Sequence, residues 1–304
     1  MSVPKRDFLT LTDFSLAEHQ ALFARAKALK SARQRREVVK TLEGRTLVMI
    51  LEKHSTRTRL SFAAAMNQLG GNSIDLSASN SQMSRGEPLP DTARVVGRYA
   101  DVVMMRTYGD DRLQDFARAC DAPVINGLTD GGHPVQILTD LLTVEERLGR
   151  LAGLTLAFVG DTGSNMGRSF AEGAAIFGYT LKLASPKGYH PGPDVVAPAH
   201  GLVQLLDRPE QAVDGAEVVI TDVWTSMGQE AESIRRLKDL EDYQVDGKLM
   251  ALAAKNAVFL HCLPAHRGEE VTAEVIDGPR SAVWDEAENR LHVQKALLEK
   301  VVLG

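Results

Sequence analysis

Short apolar runs alternate with longer segments that carry apolar residues at helical spacing, and this rhythm limits the chain to very few folds. The runs lie at Thr46–Leu51, 102–105, 124–125, 154–159, 181–184, Val218–Thr221 and Val258–Leu260. They are continuous rather than alternating, as expected of strands covered on both faces. Between them the helical signals are local. Ser15-Leu-Ala-Glu18 is a capping box, followed by a stripe of Leu16, Leu22, Phe23, Ala26 and Leu29 and then a basic end at Arg33 to Arg36. Residues 60–69 form a helical pattern stopped by Gly70-Gly71, and Pro134–Leu148 is one long helix ending at Gly149. The expected class is α/β: two similar-sized domains, each a parallel sheet flanked by helices.

Length fits that division. With 304 residues, two domains of about 150 each can both bury a core. The expected boundaries are 1–149 and 150–285, with a last helix, 286–304, packing back onto the first domain. A net charge of -5 lacks the Lys/Arg surplus that nucleic-acid binding uses, so a small substrate is expected and no nucleic acid. No segment has the ~18 to 20 uninterrupted apolar residues that cross a bilayer, and residues 1–15 lack the apolar stretch of a secretion signal. A soluble cytoplasmic protein with no membrane association is expected. Cys120 and Cys262 make no C-x-x-C pair, so neither a zinc nor a redox site is expected, and no metal.

In open parallel sheets ligands gather at the carboxyl ends of strands, so the residues after each run bear on function first. After Leu51 comes Glu52-Lys53-His54-Ser55-Thr56-Arg57-Thr58-Arg59. Ser55 can cap a helix whose free amides, with two threonine hydroxyls and guanidiniums, suit a phosphate. A lone Ser-Thr-Arg would read as an ordinary capped helix, but three hydroxyls and two arginines within five residues favour an anion. Arg106 follows the second run; alone it would be a surface ion pair contributing ~0 to 1 kcal/mol. His133-Pro134-x-Gln136 opens the long helix, and His133 is either a donor to a developing oxyanion or a cap. Gly160 to Gly167 stands where a dinucleotide loop would. Its glycines are spaced G-x-x-G-x-x-x-G, and no acidic residue ends the following strand, so a nicotinamide-dependent oxidoreductase is a weak alternative. Asp222 and Trp224 lead into Ser226-Met227-Gly228, and His261-Cys262-Leu263-Pro264 follows the last run. Cys262 is either a nucleophile or a polar wall.

Together these loops resemble the aspartate/ornithine carbamoyltransferase family over nearly the whole chain. Ser55-Thr56-Arg57-Thr58-Arg59 is similar to its carbamoyl-phosphate signature, joined by His133-Pro134-x-Gln136. Asp222-x-x-x-Ser226-Met227-Gly228, His261-Cys262-Leu263-Pro264 and Gln82-Met-Ser-Arg85 resemble the ornithine-using branch, and Glu286-Ala-Glu-Asn-Arg290 completes the likeness. The resemblance implies a cofactor-free transfer from carbamoyl phosphate to L-ornithine in an interdomain cleft, giving citrulline within arginine metabolism, with biosynthesis as the expected direction. Putrescine or an N-acylated ornithine is the alternative acceptor. It also implies that Ser55, Thr56, Arg57, Thr58, Arg106, His133, Gln136, Cys262, Leu263 and Arg290 hold carbamoyl phosphate, with Gln82 entering from a neighbouring subunit of a homotrimer. Asn165, Asp222, Ser226 and Met227 would hold ornithine, and Arg57, Arg106, His133 and Cys262 would be catalytic. Leu51, His54 and Gly131-Gly132 depart from the family's usual residues. The segment 198–208 looks short, as though a strand had been trimmed.

Overall fold

In the computed structural model, which describes residues 5–77, 82–225 and 232–304, the Ser15 capping box starts the first helix as expected. The Ser15 hydroxyl accepts from the Glu18 amide at 3.3 Å and the Glu18 carboxylate accepts from the Ser15 amide at 2.9 Å, opening α1 (Leu16–Gln34). Its stripe buries Leu22, Phe23, Ala26 and Leu29, whereas Leu16 stays 42% exposed. There follow β1 (Thr46–Leu51), α2 (Thr56–Gln68), β2 (Asn72–Ser77), α3 (Leu89–Gly97), β3 (Val102–Arg106), α4 (Asp110–Ala119), β4 (Val124–Leu128) and α5 (Pro134–Leu148). The four strands form a parallel sheet in the order β2-β1-β3-β4, with Leu51 of β1 opposite Arg106 of β3. Phe8 pairs beyond β4, donating to Val124 O and accepting from Asn126 N, both at 2.8 Å.

The second series is β5 (Thr155–Val159), α6 (Asn165–Phe177), β6 (Thr180–Ala184), α7 (Pro193–Val196), β7 (Val203–Leu206), α8 (Pro209–Val213), β8 (Val218–Thr221), α9 (Ser233–Leu240), α10 (Gly247–Leu252), β9 (Val258–Leu260), α11 (Ala273–Ile276) and α12 (Val283–Leu303). Its five strands are all parallel, in the order β7-β6-β5-β8-β9. Residues 198–208 were expected to have lost a strand. They carry β7, four residues long and paired with β6 from Leu181↔Val203 to Ala184↔Leu206.

Each sheet is covered by apolar side chains of its own helices. Met49, Ile50, Met104 and Met105 are buried in the first sheet, and Phe62 is fully buried on α2. In the second, Val159, Val219 and Phe259 pack with Ala212, Leu240 and Met250 of α8, α9 and α10. At about 1.5–3 kcal/mol per fully buried side chain, this burial is what holds each unit together. The compact units are Met1–Leu138 with Asn289–Gly304, and Thr139–Glu288, so the chain changes unit inside α5 and again inside α12. Among the described residues no helix is long and apolar enough to cross a membrane.

Candidate active site

Strand order selects the loops. The chain runs from β1 to β2 on one side and then to β3 on the other, so the loops after β1 and β3 flank a switch point, where ligands bind in open α/β sheets. In the second unit β5 leads to β6 and β7 on one side and β8 lies on the other. The loops after β5 and β8 flank its switch point.

At the first switch point Ser55 is the N-cap of α2, its hydroxyl accepting from the Thr58 amide at 3.2 Å. Helix geometry leaves the earlier amides of that turn for an outside acceptor. Arg57 is half-buried and makes no ion pair among the described residues. Arg290 reaches this turn from α12. Its guanidinium donates to Thr58 Oγ1 at 2.8 Å and to Gln136 Oε1, and all three residues are at least 96% buried. His133 is buried beside Arg290 and Arg106. Burial, then these two guanidiniums, hold its imidazole well below its ordinary range, so it is neutral and can donate one N–H without carrying charge. Thus Thr58, Arg106, His133, Gln136 and Arg290, expected together from sequence, form one buried group. Gln82 lies in a 3-10 turn, Gln82–Arg85, and is exposed.

Residues outside the expected set fix these loops. Arg112 donates to both oxygens of Glu52, with Nη2 at 2.6 Å and Nε at 2.9 Å, and Thr107 donates to the same carboxylate. Burial pushes Glu52 up, but these bonds outweigh it and hold the carboxyl below the usual range. Lys53 pairs with Asp130 and lies 4.7 Å from the Tyr108 ring centroid. The unusual Gly131 has a steric reason: a Cβ there would come within 1.9 Å of an Asp110 carboxylate oxygen, and that carboxylate is held by the Thr129 hydroxyl. The glycine lets the His133 loop close onto α4.

At the second switch point Asp222 follows β8. Its Oδ1 accepts from the Val223 amide at 2.8 Å and from the Cys262 thiol at 3.2 Å. Burial, then the charges of Asp222, Glu286 and Asp140, push the thiol well above its ordinary range, so Cys262 is a protonated donor rather than a thiolate nucleophile. Iodoacetamide should therefore alkylate Cys262 at pH 8 at least about tenfold more slowly than a free peptide thiol, speeding as pH rises. Peptide mapping that finds it rapidly alkylated at pH 7 would overturn the neutral thiol.

Leu263 adopts a left-handed φ of +59°, which turns its amide onto His261 Nδ1 at 2.9 Å. The proton of His261 is then on Nε2, which donates to the buried Glu270 at 3.1 Å. Asp222, His261 and Cys262 bring ligand-type atoms within 4.8 Å of one another, but these hydrogen bonds already engage them. Asn165 begins α6, half-buried, behind the Ser164 cap. Ser226 and Met227 lie outside the described residues.

Arg236 of α9 was not anticipated. It donates to the Trp224 carbonyl at 2.5 Å, pairs with Asp161 after β5, and lies 5.0 Å from the Tyr189 ring centroid. Burial raises Asp161 despite this partner. In SIRRLKDL such an arginine reads as one of several solvated charges, and only the fold shows it 93% buried.

The Gly160 to Gly167 loop is closed on itself. The Gly163 amide donates to Tyr189 O at 2.6 Å and the Thr162 amide to Ser185 Oγ at 3.1 Å, leaving neither for a pyrophosphate. A Cβ on Gly167 would meet Thr162 O at 2.0 Å, so this glycine packs helix against loop.

Two family profiles match, described as the carbamoyl-P binding domain (residues 6–146) and the Asp/Orn binding domain (residues 152–301) of aspartate/ornithine carbamoyltransferase. The ornithine carbamoyltransferase of Nitrosococcus oceani is 52% identical over 100% of this chain and 99% of its own. That of Bordetella pertussis is 50% identical, over 99% and 96%. Among solved structures, the ornithine carbamoyltransferase from Pyrococcus furiosus superposes with a TM-score of 0.95 at 44% identity, covering 100% of this chain and 99% of its own. The anabolic enzyme from Campylobacter jejuni gives 0.90 at 42%, over 97% and 98%. With both profiles matched and half of all positions shared along the full chain, this protein belongs to the aspartate/ornithine carbamoyltransferase family.

Proposed function

We propose that the chain transfers the carbamoyl group of carbamoyl phosphate to the δ-amine of L-ornithine, giving L-citrulline and phosphate, in the biosynthetic direction. The observation that carries this reading is the buried group of Arg290, Thr58, Gln136, His133 and Arg106 beside the capped N-terminus of α2, in a chain half identical to ornithine carbamoyltransferases. In this reading Ser55, Thr56, Arg57, Thr58, Gln136 and Arg290 hold the phosphate, whose roughly -1.5 to -2 charge the guanidiniums and helix amides neutralise. Asn165, Asp222, Ser226 and Met227 hold the amino-acid end of ornithine.

An amine of pKa about 10.4 lies ~3 units from deprotonation near pH 7.5, a deficit of about 4 kcal/mol. A carboxylate beside the δ-nitrogen would enlarge that deficit and desolvation would reduce it, which places Asp222 at the α-ammonium. The δ-nitrogen attacks the carbamoyl carbon. Neutral His133, Arg106 and Thr58 donate to the developing oxyanion, about 3 kcal/mol per donor. The C–O bond to phosphate then breaks, and phosphate takes the amine proton. Cys262, as a thiol, and Leu263 line the carbamoyl group without bonding to it. No cofactor takes part.

We also place the chain in a cytoplasmic homotrimer, Gln82 serving a neighbouring subunit's site; an exposed Gln82 and two free thiols support this. A citrulline assay offering ornithine, putrescine, N-acetylornithine and aspartate tests the acceptor. Product with ornithine alone is expected, and product only with another amine would overturn the assignment. Light scattering that gives a monomer or dimer would remove the trimer.

A further inference from the structure

The basic end of α1 has no part in the proposed reaction. Around it lies a cavity of about 550 Å³, lined by Leu29, Arg33, Arg36, Lys40, Gln68 and Lys295 and belonging wholly to the first unit. Lys295 of α12 is 96% buried and makes no hydrogen bond or ion pair among the described residues. Burial, then Arg33, push its ammonium down to about 8, with Glu299 opposing. Glu299 is already engaged: Arg25 donates to both its oxygens, at 2.5 and 2.7 Å, and the Thr41 hydroxyl donates as well.

Arg33 and Arg36 also make no ion pair among the described residues, and Arg36 holds a left-handed φ of +59° that turns the chain at the cavity. Glu37, the acid in the lining, is taken by Arg35 through bonds of 2.6 and 3.0 Å. Gln68 adds a buried Oε1 with no donor among the described residues. Lys295 is thus buried beside Arg33 with an already engaged carboxylate opposing, and the exposed guanidiniums of Arg33 and Arg36 stand at the same cavity, so an anion there would offset the buried charge.

We propose that this cavity is an anion site, built from different residues than the carbamoyl-phosphate site, that takes a small phosphate monoester. Two arginine forks suit phosphate oxygens and the lysine supplies a point charge. The cavity is several times larger than a phosphate, and Leu29, Val38 and Val39 offer an apolar wall for an organic body.

Calorimetric titration with ribose 5-phosphate, and separately with inorganic phosphate, tests this on the wild type, Lys295→Met, Arg36→Asn and Arg57→Gly. Met matches the lysine stem, and Asn tolerates the left-handed turn at an exposed position. The expected result is binding of ribose 5-phosphate at this site that survives Arg57→Gly and weakens at least tenfold in both other variants. Inorganic phosphate should bind the same site more weakly, and citrulline formation by Lys295→Met and Arg36→Asn should stay within twofold of wild type. Binding lost with Arg57→Gly but untouched at Lys295 and Arg36, or no binding of either probe, would overturn the site. Phosphate binding as tightly as the ester would overturn the monoester. Lys295-dependent binding in a chain that makes no citrulline would refute the proposed reaction alone.

Discussion

Arg57→Gly is expected to lower citrulline formation at least about a thousandfold while the protein stays folded. The loss combines a guanidinium on the departing phosphate with the cradle it completes at the α2 N-terminus, and removal of one preorganised donor alone costs about 10² to 10³ in rate. Stability should change little, because Arg57 is half-buried and has no ion-pair partner among the described residues. A glycine inside a helix costs about 1 kcal/mol, a shift of roughly 2–4 °C in Tm for a unit of this size. Turnover within tenfold of wild type, with unchanged circular dichroism, would remove the α2 N-terminus from the site.

The second large effect is on stability. Arg236→Met leaves Asp161 buried without its cation, and breaking such a pair costs about 3–5 kcal/mol. The sign of the pH dependence follows from Asp161. Its carboxyl already sits above the ordinary range because of burial, and losing Arg236 raises it further. The folded variant therefore favours the protonated acid, so the penalty is full above the raised pKa and shrinks as pH falls through it. Urea midpoints at pH 7.5 and pH 5 measure this: the gap between variant and wild type should narrow at pH 5. An equal gap at both values would show that the lost packing on Tyr189, not the stranded carboxylate, sets the cost. KM for ornithine should also rise, since the Trp224 carbonyl that leads into Ser226 loses its donor.

The central strands were legible because they are buried on both faces: β1, β3, β5 and β8 are almost wholly buried and read as unbroken apolar runs. Of the edge strands, β4 and β9 were also read as apolar runs, but β2 and β7 were not. NSIDLS in β2 and VQLL in β7 keep polar residues on a half-exposed edge, so neither stood out as an apolar run. Much of the candidate group in the first unit was legible because Thr58, His133 and Gln136 sit in two short motifs, Ser55 to Arg59 and His133 to Gln136, whereas Arg106 and Arg290 were expected only through the family resemblance. The ties around them, Arg112 on Glu52 and Arg236 on Asp161, join residues 60 and 75 positions apart, with nothing local to mark them.

That same separation governs when the buried group of the first unit can form. Arg290 bonds Thr58 across 232 positions, and α12 from Asn289 onward belongs to the first unit. During synthesis the strands and signature of that unit emerge early, but the guanidinium that links Thr58 to Gln136 arrives only after residue 290 has been added. A nascent chain stalled between the two units' sheets therefore has the Ser55 cap without the Arg290 link. The buried group around Arg290 is therefore completed last, after both sheets have been synthesised.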